Sequence, residues 1–310
     1  MRPTETTTVA HAARCKSQIF ARHCGPESGS AAVPLPEFAP IPPQICPKRL
    51  AHCLPVQGIS RGGGVSPVDF EIWLNHFEYH AQHPRCVPHG LCDLLRPDER
   101  RLIASSIAAF QLGEQSEGRT FLRAAQRFAN GRRIPALTRI AELFIREEQR
   151  HAALLRAFME DHHIALKRTD WTDRVFRLVR RLAGLELYIS MLISAELIGI
   201  VFYRALEGAT NCRRLAALCR GLVSDELAHV GFESQLLLAL RAGRPAPVRA
   251  LMRLAHRAFF TGPAGVVGLT HRSVLRQGGY GARGFLRVCL SQYAFYLGPV
   301  NVTLASTSVP

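Results

Sequence analysis

Between residues 102 and 240 apolar side chains recur every three to four positions, the period of a helix with one buried face, and no stretch shows the alternation of a strand. Leu102 to Phe128 runs without proline and stops at Asn130-Gly131. Pro135 then stands where a second helix begins, carrying Ile140, Leu143, Phe144, Leu154, Leu155 and Phe158 to about His163. A mixed segment, Lys167 to Arg181, precedes a third helix over about Ala183 to Leu206 and a fourth over about Cys212 to Leu240, with Gly208 to Asn211 between them. The pattern predicts an all-α core. Ala250 to Phe260 and Phe285 to Leu297 read as further short helices, with the weaker pattern of Val266 to Arg276 between them.

The flanks differ from this core. Pro34 to Pro47 is too rich in proline to hold a helix, and Gly62-Gly63-Gly64 lacks the Lys-Ser/Thr ending of a phosphate loop. The chain therefore divides into a disordered, Pro- and Cys-containing leader (1–66), a helical bundle (67–240) and a C-terminal helical extension packed on it (241–310). Charge follows the same division. The net +15 comes from 39 Lys+Arg against 24 Asp+Glu, yet residues 241–310 alone hold 9 Arg and no acid, so the bundle is nearly neutral. That excess is compatible with an anionic substrate, but no helix-turn-helix, finger or aromatic-interleaved basic stripe signals nucleic acid. Nine cysteines without a single C-x-x-C read as reduced thiols in a cytoplasmic protein; Cys46 with Cys53, and Cys86 with Cys92, lack metal-knuckle spacing.

The third helix is long and apolar enough to raise the question of a membrane span, but Glu186, Glu196 and Arg204 argue against one. A carboxylate in the middle of an apolar helix is costly unless something pairs with it. Two other helices supply the complement. Glu148-Gln149-Arg150-His151 and Glu226-Leu227-Ala228-His229 are two copies of E-x-x-H, a spacing that aims a carboxylate and an imidazole from one helix face at one point. In an antiparallel hairpin, residues equally far from the turn lie level, because each residue advances about 1.5 Å. By this test Glu117, 13 before Asn130, is level with Glu148, 13 after Pro135, whereas Glu114 is 16 before. Glu196 is likewise level with Glu226, and Glu186 is not. The halves repeat: Glu117 precedes Glu148 by 31 and Glu196 precedes Glu226 by 30. Residues 164 to 182 leave room for a crossover along the bundle.

On Glu117, Glu148 with His151, Glu196, and Glu226 with His229, the chain resembles the ferritin-like di-iron carboxylate superfamily over about residues 100 to 240. The resemblance implies a ferritin-like four-helix bundle in up-down-down-up order, here with added C-terminal helices. It also implies two Fe (or Mn) ions, bridged by Glu148 and Glu226 and held terminally by Glu117, Glu196 and the two histidines. The expected activity is that of an oxidoreductase activating dioxygen for hydroxylation, N-oxygenation or desaturation of a small organic or carrier-bound substrate, with an external electron donor. A ferroxidase or iron-storage-like protein, and a dimanganese catalase, are the alternatives; a homodimer stays open. Leu155 stands where a ribonucleotide reductase small subunit carries its radical tyrosine, and the paired C-x-x-C of a rubrerythrin is missing. Asp225 reads as a partner for a ligand histidine and Glu147 as a surface or supporting group. His76, His80, His162 and His163 read as surface or loop residues, and Tyr188 and Tyr203 as core packing.

Overall fold

A computed structural model describes residues 68–85, 94–115, 118–168 and 184–298, and every element among them is helical. The helices are α1 (Phe70–Gln82), α2 (Pro97–Glu114), α3 (Arg119–Arg132), α4 (Pro135–Asp161), α5 (Leu185–Gly208), α6 (Arg213–Ala242), α7 (Ala246–Thr270), α8 (Arg272–Gln277) and α9 (Ala282–Leu297). Local chemistry sets several of the starts. Asp69 caps α1, its carboxylate accepting from the Glu71 and Ile72 amides at 3.1 Å, and proline opens α2 and α4, where a missing N–H costs nothing. The leader, Cys46, Cys53, Cys86, Cys92 and most of the expected crossover lie outside the described residues.

Residue pairings give the directions of the long helices. Leu95, just before α2, meets His162 after α4, while Gln111 meets Ala152, so α2 and α4 run antiparallel. Glu186 pairs with Arg241 and Arg244, and Glu207 with Arg220, which makes α5 and α6 antiparallel too. His151 faces Asp225 and Glu147 faces His229, so α4 and α6 are opposed. It follows that α4 and α5 point the same way. Phe110 stacks on Phe202 and Phe121 on Tyr188, consistent with α2 and α3 lying antiparallel to α5.

Two sequence expectations need correction. The first bundle helix is not continuous: α2 ends at Glu114, and Gly118 takes the left-handed conformation, φ 62°, before α3 resumes. A Cβ at Gly118 would collide with the Ile145 side chain on α4, so only glycine suits both the backbone and the contact. Conversely, Ala250–Phe260 and the residues after it form one helix, α7, which passes through Pro263. Phe260, Ala264 and Gly268 keep a buried stripe across the proline, with Gly268 3.5 Å, at its built Cβ, from Phe285 of α9; this packing outweighs the lost backbone bond.

Helix α5 passes the length and apolarity test for a membrane span, yet its side chains are mostly buried inside the protein. They pack against α6 and α3, and on the other side against α7, α8 and α9. Gly278 lets the α8–α9 loop approach the backbone of α5 at Ala205, where any side chain would clash. On the opposite flank α1 lies along α4 and reaches α6 through Trp73, whose indole N–H donates to Gln235 at 2.9 Å.

Candidate metal centre

The interior of the four long packed segments is where the acids and histidines meet. Glu114 comes from the last turn of α2, Glu148 and His151 from α4, Glu196 from mid-α5, and Glu226 and His229 from α6. They form two overlapping groups whose donor atoms all lie within 4.8 Å of one another: Glu114, Glu148, His151 and Glu226, and then Glu148, Glu196, Glu226 and His229. Glu148 and Glu226 belong to both. Two cation positions sharing two carboxylates, each completed by one further carboxylate and one imidazole, are the arrangement such overlap describes.

Both imidazoles turn Nδ1 inward. His151 Nδ1 is 3.1 Å from Glu226 Oε1 and 3.6 Å from Glu148 Oε1; His229 Nδ1 is 3.1 Å from Glu148 Oε1 and 3.0 Å from Glu226 Oε2. Yet His151 Nδ1, Glu148 Oε1 and Glu226 Oε1 make no well-aligned hydrogen bond among the described residues. These atoms are close but aimed at common points between them and not at one another, the orphaned geometry a cation would relieve. Hard carboxylate oxygens with two imidazoles suit iron or manganese, and four carboxylates neutralise two divalent ions.

The outward nitrogens are held in a crossed pattern. His151 Nε2, on α4, lies 3.2 Å from Asp225 of α6; His229 Nε2, on α6, lies 3.2 Å from Glu147 of α4. Each acid directly precedes a shared glutamate, so each acid-Glu-x-x-His run orients the other run's histidine. Arg150 donates to Glu147 at 2.5 Å and to Asp225 at 3.2 Å, and Arg85 donates to Asp225 at 2.5 Å. His80 of α1 stands 3.5 Å from Glu147, and Phe77 and Phe144 close over the His229 ring. His80, Glu147 and Asp225 could themselves hold a cation, but the guanidinium groups already supply the positive charge there.

Electrostatics divides the donors into pairs. Burial, then Glu148 and Glu226, push Glu114 well above the usual carboxylate range; burial, then Glu226 and Glu148, do the same to Glu196. Burial and Glu226 push Glu148 upward, but the two imidazoles outweigh them and hold it low; Glu226 is likewise low, its burial outweighed by a bond from Glu196 and by both histidines. The histidines are raised despite burial, His151 by Asp225, Glu148 and Glu226, and His229 by Glu226, Glu147 and Glu148. Without metal these directions favour two imidazolium charges, two carboxylates and two neutral acids among the six donors, a balanced set. Glu147 and Asp225 stay anionic: burial opposes this, but His229 and His80 hold the first low, and His151 and Arg85 the second.

Of the six donors expected from sequence, Glu148, His151, Glu196, Glu226 and His229 come together; Glu117 lies outside the described residues. Glu114 supplies the fourth carboxylate. The levelling count assumed an unbroken helix to Asn130, and the break at 115–118 removes that assumption. Glu186 is taken by Arg241 and Arg244, away from the cluster. Tyr203, expected to be core packing, also donates its hydroxyl to Glu114 Oε1. No protein-family model, curated protein or solved structure matches the chain, so chemistry has to be read from these residues alone.

Proposed function

We propose that the protein is a ferritin-like dinuclear carboxylate oxidoreductase in which Glu148 and Glu226 would be shared by two Fe or Mn ions, Glu114 and His151 would complete one position, and Glu196 and His229 the other. The observation that carries this reading is the sharing of Glu148 and Glu226 between two four-residue donor groups in the helical core. The opposed α2/α3–α4 and α5–α6 pairs, with α4 and α5 parallel, agree with up-down-down-up order.

A reduced metal pair of this type supplies electrons and an open coordination position to dioxygen. The chain's own residues set the conditions. Asp225 and Glu147 hold the imidazoles with Nδ1 toward the centre, Tyr203 orients Glu114, and Phe77 and Phe144 exclude water beside His229. The helices added around the bundle, α1 on one flank and α7–α9 on the other, favour an organic substrate over iron itself, since a storage bundle needs no such cover. Dioxygen, a small organic or carrier-bound substrate and an external reductant are the partners of this reading.

The test is metal analysis of the purified full-length protein, followed by reductant-dependent dioxygen uptake. Two Fe or Mn per chain, lost together in Glu148→Ala and Glu226→Ala variants that retain wild-type helicity, support the reading. A wild-type protein that binds neither ion sinks it.

A further inference from the structure

Glu233 lies on α6 four positions past His229 and seven past Glu226, so helix geometry sets it on the stripe that carries both donors. It is fully buried, 0% exposed, and neither of its carboxyl oxygens has a hydrogen-bond partner among the described residues. Buried polar groups are nearly always paired, and an unpaired carboxyl in a core is costly. The charged groups that act on it are His229, Glu148 and Glu226, and it acts in turn on Glu196; none is an arginine or lysine. Burial first pushes this carboxyl well above the usual carboxylate range; His229 opposes the shift, and Glu148 and Glu226 add to it.

The two ends of the centre are thereby unequal. At one, Glu114 receives the Tyr203 hydroxyl; at the other, one helical turn from His229, stands an acid with no hydrogen-bond partner among the described residues. Two divalent ions are already neutralised by Glu114, Glu148, Glu196 and Glu226, so Glu233 is surplus in that state. Oxidation of two Fe(II) to two Fe(III) by one dioxygen, with two protons taken up and hydrogen peroxide released, would add two positive charges that these four carboxylates do not offset. A buried carboxyl group on the donor stripe, its oxygens unpaired among the described residues, is a further oxygen donor in the same core.

We propose that Glu233 is a further carboxylate donor to the metal position held by Glu196 and His229, engaged when the metals are trivalent. This rests on the dinuclear reading above and assigns a state-dependent role to a residue outside its six donors.

The experiment uses full-length protein and the Glu233→Gln and Glu233→Leu variants, with two measurements. Mn(II) or Co(II) titration gives divalent affinity; Fe(II) loading, oxidation by dioxygen and challenge with a ferric chelator give the rate of Fe(III) loss. Expected are divalent dissociation constants within about threefold of wild type and Fe(III) loss at least about tenfold faster. Both variants remove an unpaired buried acid, so their metal-free melting temperatures should equal or exceed that of wild type. Unchanged Fe(III) loss overturns the proposal, and so does a tenfold loss of divalent affinity, which would make Glu233 a permanent donor. In ferric-loaded wild-type crystals a Glu233 oxygen should lie at coordination distance; an oxygen beyond van der Waals contact with the metal overturns it without any variant. A wild type that binds no divalent pair defeats the dinuclear reading instead.

Discussion

Filling the centre with two divalent ions should expel about four protons per chain. Two leave the imidazolium groups of His151 and His229, whose pKa values are raised, and two leave the neutral acids Glu114 and Glu196. Glu148 and Glu226 contribute none because both are already ionised, and Glu147 and Asp225 keep their charge throughout. Each displaced proton makes binding more favourable by about 1.4 kcal/mol per pH unit, so four give about 5 kcal/mol per pH unit for the pair within the range in which the metal-free site holds them all. Calorimetric titration with Mn(II) at pH 7, repeated in three buffers of different ionisation enthalpy, yields the number directly as the slope of apparent against buffer enthalpy. A slope near four is expected. A slope of one or less would mean that the donors are not protonated as assigned, or that the metal does not displace those protons, and would refute the balanced-charge account of the empty cluster.

Asp225→Asn should weaken metal at the Glu114–His151 position and Glu147→Gln at the Glu196–His229 position, each by about 10–100-fold, or about 1.4–2.7 kcal/mol; two-phase Mn(II) titrations would resolve this, and the same phase changing in both variants would contradict the crossed pairing. Gly118→Ala should cost about 1–2 kcal/mol for the left-handed backbone and about 1–3 kcal/mol more for overpacking against Ile145, read from urea midpoints. A midpoint equal to wild type would show that the helix break tolerates a side chain. His256, far along α7, has its pKa lowered to about 4 by burial and Arg241; its Nε2 lies 2.8 Å from the Ser190 carbonyl oxygen. The unfolded chain takes up this proton near pH 6.5 and the folded one only near 4, so its contribution is full above 6.5 and falls by about 3 kcal/mol as pH drops to 4. Stability of His256→Gln should depend less steeply on pH in that window, and parallel curves would count against it. Tyr203→Phe should lower metal-free stability by about 1 kcal/mol through loss of its bond to Glu114, with no change if that bond is absent in solution.

Much of the centre could be read from sequence because E-x-x-H is a local statement: the 3.6-residue period alone places Glu148 with His151 and Glu226 with His229. Glu196 was legible for another reason, as a charge in a helix too apolar to leave it unpaired. What could not be read depends on rotation and register between helices. Glu114 joins the cluster from the last turn of α2, which ends there before the left-handed Gly118 that precedes α3, and no count along the chain detects that break. Glu147 neighbours Glu148 and so leaves the inner face; only the proximity of α6 shows that this outward face meets His229. His76 and His80 were expected at the surface, but α1 lays them against the Glu147–Asp225 side. Glu233 also has a local signal, a glutamate seven residues along the Glu226 stripe, but it stands outside the E-x-x-H spacing.

The crossed histidine supports bear on how such a chain can be divided. Since Asp225 serves His151 and Glu147 serves His229, neither half of the repeat holds a complete set of donors and supports. A polypeptide ending after α4 would have one E-x-x-H run and an imidazole without its carboxylate; one beginning at α5 would have the mirror deficit. Either half alone would complete the donor set only as two copies facing each other. In the present chain the same interdependence would make a bound metal pair a fastening between segments more than 100 positions apart, from Glu114 to Glu226, and loss of either hairpin would release both ions together.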